Sequence, residues 1–92
     1  MKNAHLFFPQ LMDIVIPEES FDEIQNLSAI FILMEFEPNS LGNMIKECLK
    51  NEKKINEKDV LTLMYNLLCG MKFMHSAGIM HRDVKPDNIL IN

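Results

Sequence analysis

Residues 78–91 read GIMHRDVKPDNILI, a polar loop between a long apolar helical pattern and a short apolar stretch. Pro86 has no N–H and disfavours a helical conformation for Lys85, so the middle of the loop is expected to be extended. On its own, an Asp followed by Lys and Asn is most often a solvated surface turn. The run from His81 to Asn88 therefore has to be interpreted together with the segments on either side of it.

A long helix is predicted before the loop. Asn56 is a suitable N-cap, Asp59 is favourable in the first turn, and the helix should reach about Ala77 and end at Gly78. Apolar residues cover most of its circumference, which is typical of a helix that is buried on most sides. A chain of 92 residues has too little other material to cover such a helix. The sequence therefore has the character of a piece of something larger.

A second, shorter helix is predicted from Leu41 to about Asn51, with Ser40 as its N-cap. Its apolar positions follow the i, i+3, i+4 spacing of one helical face. Residues 50–54 (KNEKK) are expected to form a solvated, charged link between the two helices.

The first part of the chain has strand-like patterns. Leu11–Pro17 is apolar and rich in β-branched residues, and it lies between two prolines. Ile30–Glu35 is apolar on both faces and is predicted to be a buried strand. Residues 18–26 are acidic and polar and are expected to form the connecting loop. The pattern changes from strand-like to helix-like near Asn39.

The composition is ordinary for a folded protein. Hydrophobic residues make up 48% and charged residues 24% of the chain, and 9 Lys and Arg against 13 Asp and Glu give a net charge of −4. These values argue against disorder and give no general attraction to nucleic acid. No apolar run approaches the ~20 residues of a membrane span. Two cysteines without a Cys-x-x-Cys pair favour reduced thiols in a cytoplasmic protein, or one that is also nuclear.

The loop at residues 81–88, HRDVKPDN, resembles the catalytic loop of eukaryotic protein kinases, which is His-Arg-Asp followed five positions later by Asn. The Lys-Pro pair within it is the form found in serine/threonine kinases. The resemblance implies an α+β protein with the two-lobed protein-kinase fold, of which the chain is the central part. Residues 1–37 would be the end of the small lobe and the hinge. Residues 38–92 would be the start of the large lobe through the catalytic loop.

The same resemblance implies roles for the loop residues. Asp83 would take the proton of the substrate hydroxyl, Lys85 would stabilise charge on the transferring phosphoryl group, and Asn88 would offer a neutral oxygen to Mg²⁺. His81 would be a structural residue that packs and hydrogen-bonds the loop. Arg82, next to the catalytic Asp, would imply control by a phosphorylated activation loop and hence by an upstream activating kinase.

The residues farther upstream are similar to the mitogen-activated protein kinase group. Residues 30–41, IFILMEFEPNSL, resemble the fifth strand and the hinge of those kinases. By this match Met34 is the gatekeeper that limits the depth behind the adenine. The backbone of Glu35 and Glu37 would contact the adenine edge of ATP. Ser40 stands where many relatives have an Asp that binds the ribose.

The whole protein would then use ATP and Mg²⁺ to phosphorylate Ser or Thr hydroxyls of a protein substrate, with no nucleic-acid or membrane partner. The 92 residues include neither a Gly-rich phosphate loop nor Asp-Phe-Gly, so we expect poor folding and no measurable kinase activity from this chain alone. The alternative is a pseudokinase or truncated product that acts only by binding, although the intact Asp83, Lys85 and Asn88 argue against a pseudokinase. A free-standing helical interaction module would leave the HRD loop unexplained.

Overall fold

The structure is a computed structural model that describes residues 6–17 and 29–92. Within these residues the regular elements are, in chain order, strand β1 (Leu11–Val15), strand β2 (Phe31–Met34), helix α1 (Leu41–Lys50), helix α2 (Glu57–Ser76) and a 3-10 turn (Pro86–Asn88). This mixture of strands and helices agrees with the predicted α+β class. The predicted loop at residues 18–26 lies outside the described residues.

The two strands pair antiparallel with each other. Leu11 lies opposite Met34 and Val15 lies opposite Phe31, with one irregularity in the register between Leu11 and Asp13. Both strands are slightly shorter than predicted, since β1 stops at Val15 and β2 begins at Phe31. The pairing fixes where the chain leaves the sheet, immediately after Met34.

The prediction that β2 is buried is wrong for this chain. All four of its residues are exposed, including Phe31 at 54% and Ile32 at 60% of the maximal side-chain exposure. The physical reason is that β1 and β2 pair with each other, while no helix among the described residues packs broadly against either face. An apolar pattern on both faces indicates that a strand is suited to burial, and the described residues do not provide the packing partners that would bury it.

Helix α2 begins as predicted and carries an apolar surface that the chain leaves uncovered. The side-chain oxygen of Asn56 accepts a hydrogen bond from the backbone N–H of Lys58 at 2.9 Å, which is the expected N-cap. Leu61 and Leu68 are nevertheless exposed by 63% and 61%. The described residues therefore hold too little material to cover α2, in agreement with the prediction. In the described part of the chain, neither helix has the length and apolar character needed to cross a membrane.

The described residues contain no buried hydrophobic side chain, and Gly42 and Gly70 are the buried residues among them. The accessible surface is 8324 Å², against about 5,500 Å² for a compact folded protein of this mass. The radius of gyration is 17.4 Å, against about 12 Å for a compact domain of this length. The described residues therefore do not build a hydrophobic core of their own.

One aromatic cluster joins the segment before β1 to helix α2. The ring centroids of Phe7 and Phe8 lie 6.4 Å and 6.0 Å from that of Phe73, both in tilted arrangements. Gly70, one turn earlier on α2, lies so close to Phe7 that a Cβ at this glycine would be 3.3 Å from the Phe7 Cβ. This cluster connects the segment that precedes the sheet to the helix that leads into the loop at residues 81–88.

Candidate active site

The end of helix α2 determines where the loop of polar residues begins. Gly78 has a φ of +74°, its N–H donates to the carbonyl of His75 at 3.0 Å, and the N–H of Ile79 donates to the carbonyl of Met74 at 3.1 Å. These two hydrogen bonds form the helix C-terminal motif that favours glycine in the left-handed conformation. The predicted end of the helix at Gly78 is confirmed. The chain reverses there and enters the HRD sequence.

The backbone of the HRD sequence is sharply turned. Arg82 has a φ of +70°, a left-handed conformation that is uncommon and costly for a residue with a side chain. The turn allows the N–H of Asp83 to donate back to Nδ1 of His81 at 3.1 Å. His81 therefore hydrogen-bonds the loop, as the resemblance implied. Within residues 6–17 and 29–92, no carboxylate forms an ion pair with Arg82.

Asp83, Lys85 and Asn88 meet around one carboxylate. The Asn88 side-chain amide donates to the Asp83 carbonyl oxygen at 2.9 Å and to its carboxylate oxygen Oδ2 at 3.1 Å. The Lys85 ammonium lies 3.6 Å from the same Oδ2. The side chains of Asp83 and Lys85 are 64% and 51% exposed. The carboxylate is therefore held by the loop on one side and remains accessible to a second molecule.

The 3-10 turn brings Asn88 back to Asp83. Lys85 is extended, with φ −155° and ψ 160°, as predicted for the residue before a proline, and Pro86 occupies the first position of the turn. The N–H of Asn88 donates to the carbonyl of Lys85 at 3.0 Å, and the N–H of Ile89 donates to the carbonyl of Pro86 at 3.2 Å. A residue five positions after Asp83 can thus reach it through a single tight turn.

The residues after the loop are paired with the segment that precedes helix α1. The N–H of Leu41 donates to the carbonyl of Ile89 at 2.7 Å, and the N–H of Ile91 donates to the carbonyl of Asn39 at 3.0 Å. The short apolar stretch after the loop forms a single antiparallel bridge, between Ser40 and Leu90. This pairing places the start of α1 directly beside the turn that carries Asn88.

Ser40 is the N-cap of helix α1, as predicted. Its hydroxyl oxygen accepts a hydrogen bond from the N–H of Asn43 at 3.1 Å, and the helix ends at Lys50, one residue before the expected end. Since a hydroxyl oxygen has two lone pairs, this cap leaves the proton and one acceptor position of Ser40 available to another partner.

The predicted hinge residues follow β2 directly. Met34 is the last residue of the strand and is 57% exposed. The N–H of Glu35 donates to the carbonyl of Gln10 at 2.8 Å, and the Glu35 carboxylate accepts from the N–H of Gln10 at 3.2 Å. The backbone N–H of Glu35 is thus occupied by Gln10, so a ligand could use only the Glu35 carbonyl. Glu37, which lies in the segment that connects β2 to α1, is half-buried.

The donor set of the loop fits a Mg²⁺ ion that is shared with a phosphate ligand. The described residues contain no group of three or more His, Cys, Asp or Glu side chains suited to a metal. Mg²⁺, however, is commonly held by one or two protein oxygens together with substrate phosphates and water. Since both donated hydrogen bonds of the Asn88 amide come from its nitrogen, its oxygen is left to serve as such a ligand.

Sequence reasoning missed one contact in this region. Gly42, in the first turn of α1, lies against the carboxylate of Asp87 in the 3-10 turn. The carboxylate of Asp87 thereby approaches the backbone of the helix. A glycine inside a helical pattern was the available signal, because glycine destabilises a helix unless another group must approach closely.

The sequence match to a known protein family includes this loop and extends over most of the chain. Residues 10–92 match the family model described as the protein kinase domain. The chain therefore belongs to the protein kinase family, and the described strands, helices and loop are a segment of that domain.

Within the family, the chain is similar to several mitogen-activated protein kinases. It is 33% identical over 82 residues to mitogen-activated protein kinase 12 of Homo sapiens, and the aligned region covers 89% of this chain and 20% of that protein. It is 38% identical over 82 residues to mitogen-activated protein kinase 14 of Xenopus laevis, with the same coverage. Mitogen-activated protein kinase p38b of Drosophila melanogaster is 32% identical over 82 residues, with 89% of this chain and 21% of that protein covered. The chain thus spans about a fifth of the length of the relatives it matches.

Proposed function

We propose that this chain supplies the hinge and the catalytic loop of a serine/threonine protein kinase, which transfers the γ-phosphate of ATP to Ser or Thr hydroxyls of a protein. The observation that carries the proposal is the meeting of Lys85 and Asn88 at the carboxylate of Asp83. An acid, a cation and an amide oxygen at one exposed point are the groups that phosphoryl transfer requires for positioning and charge compensation.

Asp83 is assigned the role of general base, which accepts the proton of the substrate hydroxyl. Its backbone N–H is held by His81 and its Oδ2 is held by Asn88, so the side chain is oriented before a substrate arrives. With 64% of the side chain exposed, an incoming hydroxyl can reach the carboxylate. Orientation of this kind reduces the entropy that the reaction must lose when the substrate binds.

Lys85 is assigned the stabilisation of negative charge on the phosphoryl group. Its ammonium stands 3.6 Å from the acid that receives the proton, and its backbone is extended before Pro86. A compact positive charge fixed beside the reacting oxygens acts without reorganisation at the moment of transfer.

Asn88 is assigned the protein oxygen for Mg²⁺, an ion that would neutralise charge on the phosphates of ATP. Met34, Glu35 and Glu37 are assigned the adenine end of the nucleotide, through the gatekeeper side chain and the hinge backbone. Ser40 is assigned the ribose end. Pairing of the residues around Ser40 with the residues that follow Asn88 supports the assignment of Ser40, because it brings Ser40 near the turn that carries Asn88.

The preference for Ser and Thr is supported by the Lys-Pro pair of the loop and by the kind of relative that the chain resembles. Control by an upstream kinase is supported by Arg82, which directly precedes Asp83 in the sequence. Its guanidinium group could form an ion pair with a phosphorylated segment. Two cysteines that are both free, Cys48 and Cys69, support a reducing compartment such as the cytoplasm, with the nucleus as a second location.

The proposed activity belongs to a longer polypeptide. The uncovered faces of β2 and α2 favour a chain that functions with other kinase segments packed on it. We therefore expect no phosphotransfer from the 92 residues alone. The same exposed surface is the observation that favours the alternative function, in which a short product or a pseudokinase acts only by binding another protein through these faces.

The test uses the full-length protein that contains this segment. The protein is incubated with γ-labelled ATP, Mg²⁺ and a mixture of peptides, and the labelled amino acids are identified. We expect phosphoserine and phosphothreonine without phosphotyrosine, loss of labelling in Asp83→Asn, and retention in Asp59→Asn, which makes the same change on the exposed start of α2. Absence of labelling in the wild-type protein, combined with retained partner binding, would favour the alternative.

A further inference from the structure

The contact between Gly42 and Asp87 connects helix α1 to the catalytic loop, and the roles assigned above use neither residue. Gly42 is buried in the first turn of α1. A Cβ placed on it would overlap the carboxylate oxygen Oδ1 of Asp87 and would lie 3.2 Å from both the Cγ and the backbone nitrogen of Asp87. The helix position can therefore hold only a glycine as long as Asp87 keeps its place.

The contact is also favourable in charge. The first turn of α1 contains no acidic residue, although negative charge is stabilising at that end of a helix. Asp87 brings a carboxylate to this turn from a different segment of the chain. Because glycine is an unfavourable residue in a helix, its presence at position 42 is explained by the room that the carboxylate needs.

A displacement of Asp87 would be transmitted to the catalytic groups. Asp87 is the middle residue of the 3-10 turn, and Asn88 follows it. The turn is closed by the hydrogen bond from the N–H of Asn88 to Lys85, and the chain after it is fastened to α1 by the hydrogen bond from the N–H of Leu41 to Ile89. With both sides fixed, a shift at the middle residue moves the Asn88 amide relative to Asp83.

We propose that Asp87 is a positioning residue. By packing against the bare backbone of Gly42, it sets the distance between helix α1 and the turn that carries Asn88. The catalytic part of this inference rests on the proposed kinase function, while the packing part does not. The pair is matched in size, so the effect of enlarging one member should be relieved by shortening the other.

The test is a double-mutant cycle in the full-length protein. Gly42→Ala is combined with Asp87→Ala and, separately, with the isosteric Asp87→Asn. Asn43→Ala is the matched control, because it places the same side chain on the next, exposed position of the same helical turn. For each variant, kcat and KM are measured for peptide phosphorylation. Hydrogen exchange is measured at the amides of Leu41, Asn88 and Ile89.

We expect Gly42→Ala to lower kcat about tenfold with little change in the peptide KM, since small displacements in a positioned site are costly. The three amides should exchange faster in the same variant. Asp87→Ala should restore both readouts in the double variant, whereas Asp87→Asn should not. If Gly42→Ala does not fold, Asp87→Glu creates the same crowding beside the unchanged glycine.

Two results would overturn the inference: Gly42→Ala behaving like Asn43→Ala, or Asp87→Ala failing to rescue it. If the wild-type protein shows no phosphotransfer, the proposed function fails, and the exchange rates alone decide the packing claim. Recovery of slow exchange in the double variant would then support it, and unchanged exchange in Gly42→Ala would refute it.

Discussion

Replacing Asn88 by Asp tests how the catalytic loop is organised. The substitution keeps the size of the side chain and an oxygen for a metal ion, but it replaces the donating nitrogen by an acceptor. In the structure this nitrogen lies 2.9 Å from the carbonyl oxygen of Asp83 and 3.1 Å from its carboxylate. In the variant, two carboxylates would face each other at that place.

The cost can be estimated from these distances. Two unit charges 3.1 Å apart repel by about 1.3 kcal/mol in water and about 5 kcal/mol at an effective dielectric constant of 20. The lower of these two repulsion energies applies, since the Asp83 side chain is 64% exposed and the Lys85 ammonium lies 3.6 Å from its carboxylate. Adding two lost hydrogen bonds of about 1 kcal/mol each gives about 3 kcal/mol. If this free-energy cost raises the barrier to phosphoryl transfer in full, kcat decreases roughly 100-fold.

The assay is the kcat of the full-length protein for a peptide substrate at saturating ATP and Mg²⁺. Asn66→Asp is the matched control, because it adds the same charge at an exposed position on α2. A kcat for Asn88→Asp within twofold of the control would refute the claim that the Asn88 amide orients Asp83.

Three further predictions concern the stability of the purified full-length protein in chemical denaturation. Gly78→Ala should destabilise by about 1 kcal/mol through its positive φ alone, because nothing lies within 4 Å of the added Cβ; an unchanged midpoint would contradict the left-handed helix end. Ser40→Ala should destabilise by about 1 kcal/mol through the lost N-cap, and Ser40→Asp should not; equal losses in both variants would exclude the cap as the cause. Phe73→Ala should destabilise by about 1 to 3 kcal/mol through its ring contacts with Phe7 and Phe8, and a neutral substitution would show that this cluster contributes nothing.

Features that depend on neighbouring residues could be predicted from the sequence. Ser40 and Asn56 cap their helices, and Gly78 ends α2, because each acts on the backbone within one turn of itself. Lys85 is extended because Pro86 follows it. The meeting of Lys85 and Asn88 at Asp83 also follows from a short loop, although the roles of these residues came from the family resemblance.

Features that depend on distant segments could not be predicted. The approach of Asp87 to Gly42 joins residues 45 positions apart, by the difference of their numbers. The left-handed conformation of Arg82 is imposed by the turn around it, since nothing in an arginine side chain favours it. The prediction that β2 is buried was wrong because an apolar pattern shows only that a strand is suited to burial. The described residues do not provide the neighbours that would bury it.

The most direct test of the central claim is the single-turnover rate of γ-phosphoryl transfer by the full-length protein, measured for the wild type, Asp83→Asn and the control Asp59→Asn. A positioned general base contributes about 10²- to 10⁴-fold. The account predicts a loss of at least about 100-fold in Asp83→Asn and none in Asp59→Asn. Equal rates in all three proteins, or no transfer by the wild type, would contradict the assignment of this loop to catalysis.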